Sequence, residues 1–156
     1  MPVNKIGSML RNKRRLPSYI KMSFLIHATE DPEKVLKAVR YILPEEHFED
    51  VEYEKNVLLG YHKNPIIMVK TSIKGGARAL AVLKRILQKL EEDDMKLLSS
   101  EFPSHLDSRG NLYMRLDKQE ALLGKIKLCS VDPIRIKAKF NFIPTTVQEI
   151  MSISEI

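Results

Sequence analysis

Near the C-terminal end of this 156-residue chain, cations alternate with apolar residues. Lys125 and Lys127 flank Ile126, while Arg135, Lys137 and Lys139 are interleaved with Ile136 and Ala138. A period of two places each set on one side of an extended strand. A turn at Asp132-Pro133 is expected to fold the two sets side by side as a hairpin. Like charges on neighbouring strands repel, so such a stripe calls for an anion. A phosphate backbone supplies one, and neutralising it releases condensed counterions. Tyr113 and Arg115 are expected on the same face, where aromatic rings and guanidinium planes can stack on bases. Lys118 follows them and is counted with the same phosphate-binding group. The alternative is a solvated sheet surface on which Glu52 and Glu54, from an adjacent strand, neutralise the stripe.

A second basic cluster, Arg11, Lys13, Arg14 and Arg15, lies in the N-terminal segment without periodicity, the pattern of either a nucleic-acid arm or a solubilising tail. Other constellations are weaker. Lys74-Gly75-Gly76 precedes a helix but lacks the Gly-Lys-Ser/Thr ending of a nucleotide loop, so a plain connection is the better reading. The four histidines have no ligand spacing, so no metal and no cofactor is expected. His105-x-Asp107 is the one pair on which a hydrolase could be built, and no nucleophile accompanies it in a recognisable setting. The expectation is a non-enzymatic protein.

The elements that must position these residues follow from periodicity. Residues 18–28 alternate, with Ile20, Met22, Phe24, Ile26 and Ala28 inward and Tyr19, Lys21, Ser23 and His27 outward. Thr29 is expected to cap a helix whose apolar stripe is Val35, Leu36, Val39, Ile42 and Leu43. Residues 49–59 read as a strand, Ile66–Ile73 as an apolar strand and Gly76 onward as a second helix. Residues 91–108 give no firm element. Three further strands are expected around 112–116, 125–128 and 134–140. The order β-α-β-β-α-β-β-β describes an α+β fold: a mostly antiparallel sheet with two main helices packed on one face and the other face wet. Residues 1–17 are expected as a basic flexible arm, 18–142 as a single domain and 143–156 as a tail or short helix.

Composition agrees with a soluble domain. Charged residues make up 29% and the net charge is +6. Six bases and no acid fall in residues 1–21, and eight bases face three acids in 109–139, a segregation that suits a polyanion. One cysteine, Cys129, permits no intrachain disulfide, and no secretory signal or membrane span is legible, so the cytoplasm is expected.

The run Gly110-Asn111-Leu112-Tyr113-Met114-Arg115-Leu116-Asp117-Lys118-Gln119-Glu120-Ala121 resembles an archaeal family of RNA-binding, exosome-subunit-like proteins. Residues His27–Val35, Gly60-Tyr61-His62 with Asn64-Pro65-Ile66, and Asp132-Pro133-Ile134 agree with it, over about residues 18–142. The resemblance implies a fold like that of the large-subunit ribosomal protein that binds 5S RNA. It also implies RNA binding, with exosome or ribosome components as further partners. Phosphate contacts specify no sequence, so structured or double-stranded RNA is the expected ligand. The apolar run Ile66–Ile73 supports the alternative, an interaction module that is a homodimer or an accessory subunit without direct RNA contact.

Overall fold

A computed structural model describes residues 15–45, 51–60 and 64–154 of the chain. The alternation in the first strand, β1 (Tyr19–Ile26), buries Ile20, Met22, Phe24 and Ile26 and leaves Lys21 exposed. Helix α1 (Pro32–Ile42) starts at Asp31, whose carboxylate accepts the Glu33 N–H at 3.0 Å. Pro32, preset for the first helical position, moves the cap there from the expected Thr29. The hairpin β2 (Glu52–Leu59) and β3 (Pro65–Lys74) precedes α2 (Gly76–Lys89), and α3 (Glu92–Ser100) and a 3-10 turn (Phe102–His105) lead into β4 (Asn111–Leu116). Helix α4 (Lys118–Leu122), β5 (Ile134–Lys139) and α5 (Val147–Met151) complete the described chain.

The strands form one sheet in the order β2-β3-β1-β5-β4, antiparallel at every pairing. One face packs into a single core with α1 and α2, whose Val39, Ile42, Leu80, Leu83 and Leu87 are buried with Ile136 and Met114. Each such side chain contributes roughly 1.5–3 kcal/mol by leaving water. The opposite face is open. Gly110 holds the entry to β4: its φ is +83°, and a Cβ there would meet the carbonyl oxygen of Phe140 at 2.6 Å. Among the described residues, no helix is long and apolar enough to cross a membrane.

The α+β class and the antiparallel sheet agree with the sequence reading, but the strand count does not. Five strands form among the described residues, and residues 125–128 make only isolated bridges, Ile126 to Leu90 and Leu128 to Leu116. The Asp117 N–H donates to the Lys127 carbonyl and the Cys129 N–H to that of Arg115, so this segment runs along the outer edge of β4. No 125–139 hairpin exists, because β4 already occupies that side of β5. The pairing stays short because the Leu128 N–H donates to Asp94 of α3. Residues 91–108, without a firm element in sequence, carry α3 and the 3-10 turn.

Candidate nucleic-acid interface

The strand register decides which side chains meet on the open face, because directly opposed residues of antiparallel strands point the same way. One row reads Glu52, Ser72, Lys21, Lys137, Tyr113 across β2, β3, β1, β5 and β4. The next reads Glu54, Lys70, Ser23, Arg135, Arg115, and a third joins Lys74, Tyr19, Lys139 and Asn111. Lys21, Lys70, Lys74, Arg135 and Lys137 line a groove of about 750 Å³, with Glu52 and Glu54 along its β2 side and Tyr113 at the β4 side. Among the described residues, none of those five cations, nor Arg115, forms an ion pair with a carboxylate. Glu52 and Glu54 sit beside the cations without neutralising them by contact.

Two tyrosines stand among these cations. The Tyr19 ring has the Lys21 ammonium 4.7 Å and the Lys137 ammonium 5.8 Å from its centroid. Tyr113 is 43% exposed, and its hydroxyl donates to Asp107 at 3.0 Å, which fixes the tilt of the ring. That hydrogen bond raises the Tyr113 pKa above its ordinary value. Asp107 in turn accepts from the Asn111 side chain, the Asn111 N–H and the Arg109 N–H, and its carboxyl is held well below the usual carboxylate range, first by the Asn111 side chain. His105 Nδ1 lies 2.9 Å from the Tyr113 carbonyl oxygen. The His105 and Asp107 pair thus braces the β4 entry loop.

The residues singled out in sequence divide into four groups. Tyr113, Arg115, Arg135, Lys137 and Lys139 share the open face, and the Lys139 ammonium donates to the Arg109 carbonyl. Lys125 and Lys127 do not line the groove; Lys127 reaches Glu91 at 3.8 Å. Lys118 is 4% exposed, and its ammonium contacts Asp132 at 2.7 Å, the Leu25 carbonyl at 2.8 Å and Glu30 at 3.0 Å. Its expected place on the basic surface is therefore corrected: it is an internal counter-ion. Arg11, Lys13 and Arg14 lie outside the described residues, whereas Arg15 pairs with Glu149 at 2.6 Å and stacks over Phe142.

His27, Glu30 and Asp132 place ligand-type atoms within 4.8 Å of one another, but the Lys118 ammonium already bridges the two carboxylates. Sequence reasoning missed Lys21, Lys70 and Lys74 as site residues. The signal was present as the every-other-residue placement of Lys70, Ser72 and Lys74, masked by the apolar neighbours that made β3 look buried.

Comparison with known proteins accords with this arrangement. A family model described as RNA binding matches residues 19–140. The chain is 40% identical over 124 residues to the RNA-binding protein PAB1135 of Pyrococcus abyssi, covering 77% of this chain and 80% of that one. It is 35% identical over 125 residues to the uncharacterized protein MJ0213 of Methanocaldococcus jannaschii, covering 79% and 83%. The crystal structure of SSO0741 from Sulfolobus solfataricus superposes with a TM-score of 0.67 at 25% identity, over 79% of this chain and 88% of that one. The chain belongs to this archaeal RNA-binding family.

Proposed function

We propose that this protein binds RNA, without catalysing a reaction on it, by laying the sugar-phosphate backbone across the open sheet face. The observation that carries the reading is the convergence of Lys21, Lys70, Arg135 and Lys137 from three strands into one groove with no carboxylate paired to any of them among the described residues. Unpaired neighbouring cations are electrostatically costly in the free protein and are relieved by phosphate. Phosphate contacts carry no sequence information, so shape directs this part of the recognition and structured RNA is the ligand class. A role in RNA processing or degradation of exosome type, or on ribosome-related RNA, is the finer reading and rests on the sequence resemblance; its place in the cytoplasm rests on the single cysteine and the absence of a legible signal.

The test is a salt titration of binding to a structured RNA. Replacing Lys21, Lys70, Arg135 and Lys137 with alanine flattens the slope of log affinity against log salt by about 0.7–0.9 per lost contact. Replacing Lys125 and Lys127 changes it less. A slope unmoved by the first set removes the sheet face from the interface.

A second reading, an accessory subunit or homodimer held by protein contacts, draws on Val57, Leu58 and Leu59, which are 69%, 44% and 76% exposed at the end of edge strand β2. Edges of this kind pair readily with another chain. A complex that survives nuclease treatment and is lost on Leu59→Lys selects it.

A further inference from the structure

The groove carries both signs of charge, and their arrangement bears on which part of an RNA lies where; this step rests on the RNA-binding reading above. Glu52 and Glu54 are exposed on β2, with Ser72 and Lys70 directly opposite them on β3. Neither carboxylate forms an ion pair with Lys21, Lys70, Lys74, Arg135 or Lys137 among the described residues. Beneath the groove, between Glu52 and Lys21 in the same row, the Ser72 hydroxyl is buried without a hydrogen-bond partner among the described residues. Carboxylates repel phosphates and accept hydrogen bonds from N–H groups. An RNA can therefore present its phosphates to the lysines and arginines, but only a hydrogen-bond donor, a ribose 2′-hydroxyl or the donor edge of a base, to Glu52 and Glu54; of these, only the base edge distinguishes one nucleotide from another.

The donor edges differ among bases. The pairing edge of guanine offers a ring N–H beside an amino group, two parallel donors that match the two oxygens of one carboxylate, the bidentate geometry that makes charge-assisted hydrogen bonds strong. Adenine and cytosine offer one amino group beside an acceptor nitrogen that a carboxylate repels. Uracil offers one N–H between two carbonyls. Those edges are free only where the base is unpaired, which is where sequence-specific RNA recognition takes place. On the far side of the same groove, Tyr113 presents a ring whose tilt is fixed by Asp107. Four strand spacings of ~4.8 Å put it about 19 Å from Glu52, too far for one base and a suitable reach for a short run of nucleotides.

We propose that the groove takes an unpaired loop of a structured RNA, with a guanine donating to Glu52 or Glu54, the intervening phosphates on Lys21, Lys70, Arg135 and Lys137, and a second base stacked on Tyr113. The sheet face is thus a selective site, with its selectivity placed in the acids that a purely electrostatic reading would count against binding.

The experiment uses the full chain and fluorescently labelled hairpins with one common stem, whose loop contains a single guanine, inosine or uracil. Inosine removes the amino donor and keeps the ring N–H. Guanine is expected to bind about ten-fold tighter than inosine or uracil, within the range of a good base contact. The Glu52→Gln/Glu54→Gln double variant removes that preference and strengthens binding of the uracil hairpin, because a repulsion is lost. Tyr113→Leu weakens all three hairpins together by roughly five-fold or more, the scale of one lost base stack. Equal affinity for all three loops in the native protein, or a guanine preference that survives the glutamine variant, overturns the inference. So does a blunt duplex without a loop that binds as tightly as the guanine hairpin. These failures are separable from failure of the RNA reading, which shows as a salt slope unaffected by loss of the four groove cations.

Discussion

Lys118 and Lys137 are the same side chain in two opposite settings. Lys137 lies on the open sheet face between Lys21 and Tyr113 in its row, beside the Tyr19 ring and, among the described residues, paired with no carboxylate. Lys118 is buried at the start of α4, with its ammonium satisfied by Glu30, Asp132 and the Leu25 carbonyl. Through those contacts it ties the end of β1, the entry to α1 and the turn before β5 to one point. A paired, desolvated cation organises the fold, whereas a half-buried one on the open face without a carboxylate partner leaves its charge available to a ligand. Counting both as one basic surface merges two different physical roles.

The largest effect expected from this contrast is on stability. Lys118→Ala leaves the carboxylates of Glu30 and Asp132 facing each other without their cation. A buried pair broken this way costs several kcal/mol; because both acids are partly exposed, a loss of roughly 2–4 kcal/mol is expected from urea unfolding. The salt slope of RNA binding stays unchanged. Lys137→Ala reverses the pattern, with stability within about 0.5 kcal/mol of native and a flatter salt slope. Equal stability losses for the two variants would erase the distinction.

A smaller effect sharpens it through pH. Partial burial, the largest single influence on Asp132, pushes its carboxyl up, but hydrogen bonds and charge from Lys118 and His27 together outweigh it, and the pKa lies below the ordinary value. A carboxyl depressed in the folded state contributes stability in full above the unfolded value of about 3.9. That contribution is lost as pH falls through the lower folded value. Asp132→Asn is therefore less stable than native at neutral pH, and the gap closes progressively below about pH 4. Asp132 has a φ of +45°, a conformation asparagine also tolerates, so the substitution reports charge and not backbone strain. A gap that persists unchanged at low pH would show that the turn, and not the ion pair, needs the aspartate.

How legible these two regions were in sequence follows from the range of the interactions that build them. The open face depends on alternation, which is local: Ile20, Met22, Phe24 and Ile26 inward and Arg135, Lys137 and Lys139 outward needed only the period of a strand. Lys70 and Lys74 obey the same period, but Ile66, Ile67 and Met68 precede them and made the whole strand read as buried. The Lys118 network joins that lysine to Glu30, 88 positions away in sequence, and no local pattern marks a lysine for such a contact. The false hairpin at 125–139 had a sound turn and sound alternation. What it lacked was knowledge of strand order, since β4 competes for the same edge of β5 and wins with six consecutive residue pairs. Asp31 caps the helix in place of Thr29 because Pro32 fixes where the first turn begins.

The smallest predicted effect has the opposite sign from the usual one. Arg135 and Arg115 are directly opposite each other on β5 and β4, without a carboxylate paired to either among the described residues. Like charges in that position destabilise a sheet by a few tenths to about 1 kcal/mol. Arg135→Thr removes the repulsion and places a β-branched residue where a strand favours one. A gain of about 0.2–1 kcal/mol in stability is expected at low salt, shrinking as added salt screens the native pair. RNA binding weakens in the same variant. Stability gained together with affinity lost is the signature of a charge held against the interest of the fold for the sake of a ligand. A destabilised Arg135→Thr protein would instead mean that the arginine packs for structure, and the open face would lose its claim to be different in kind from the site of Lys118.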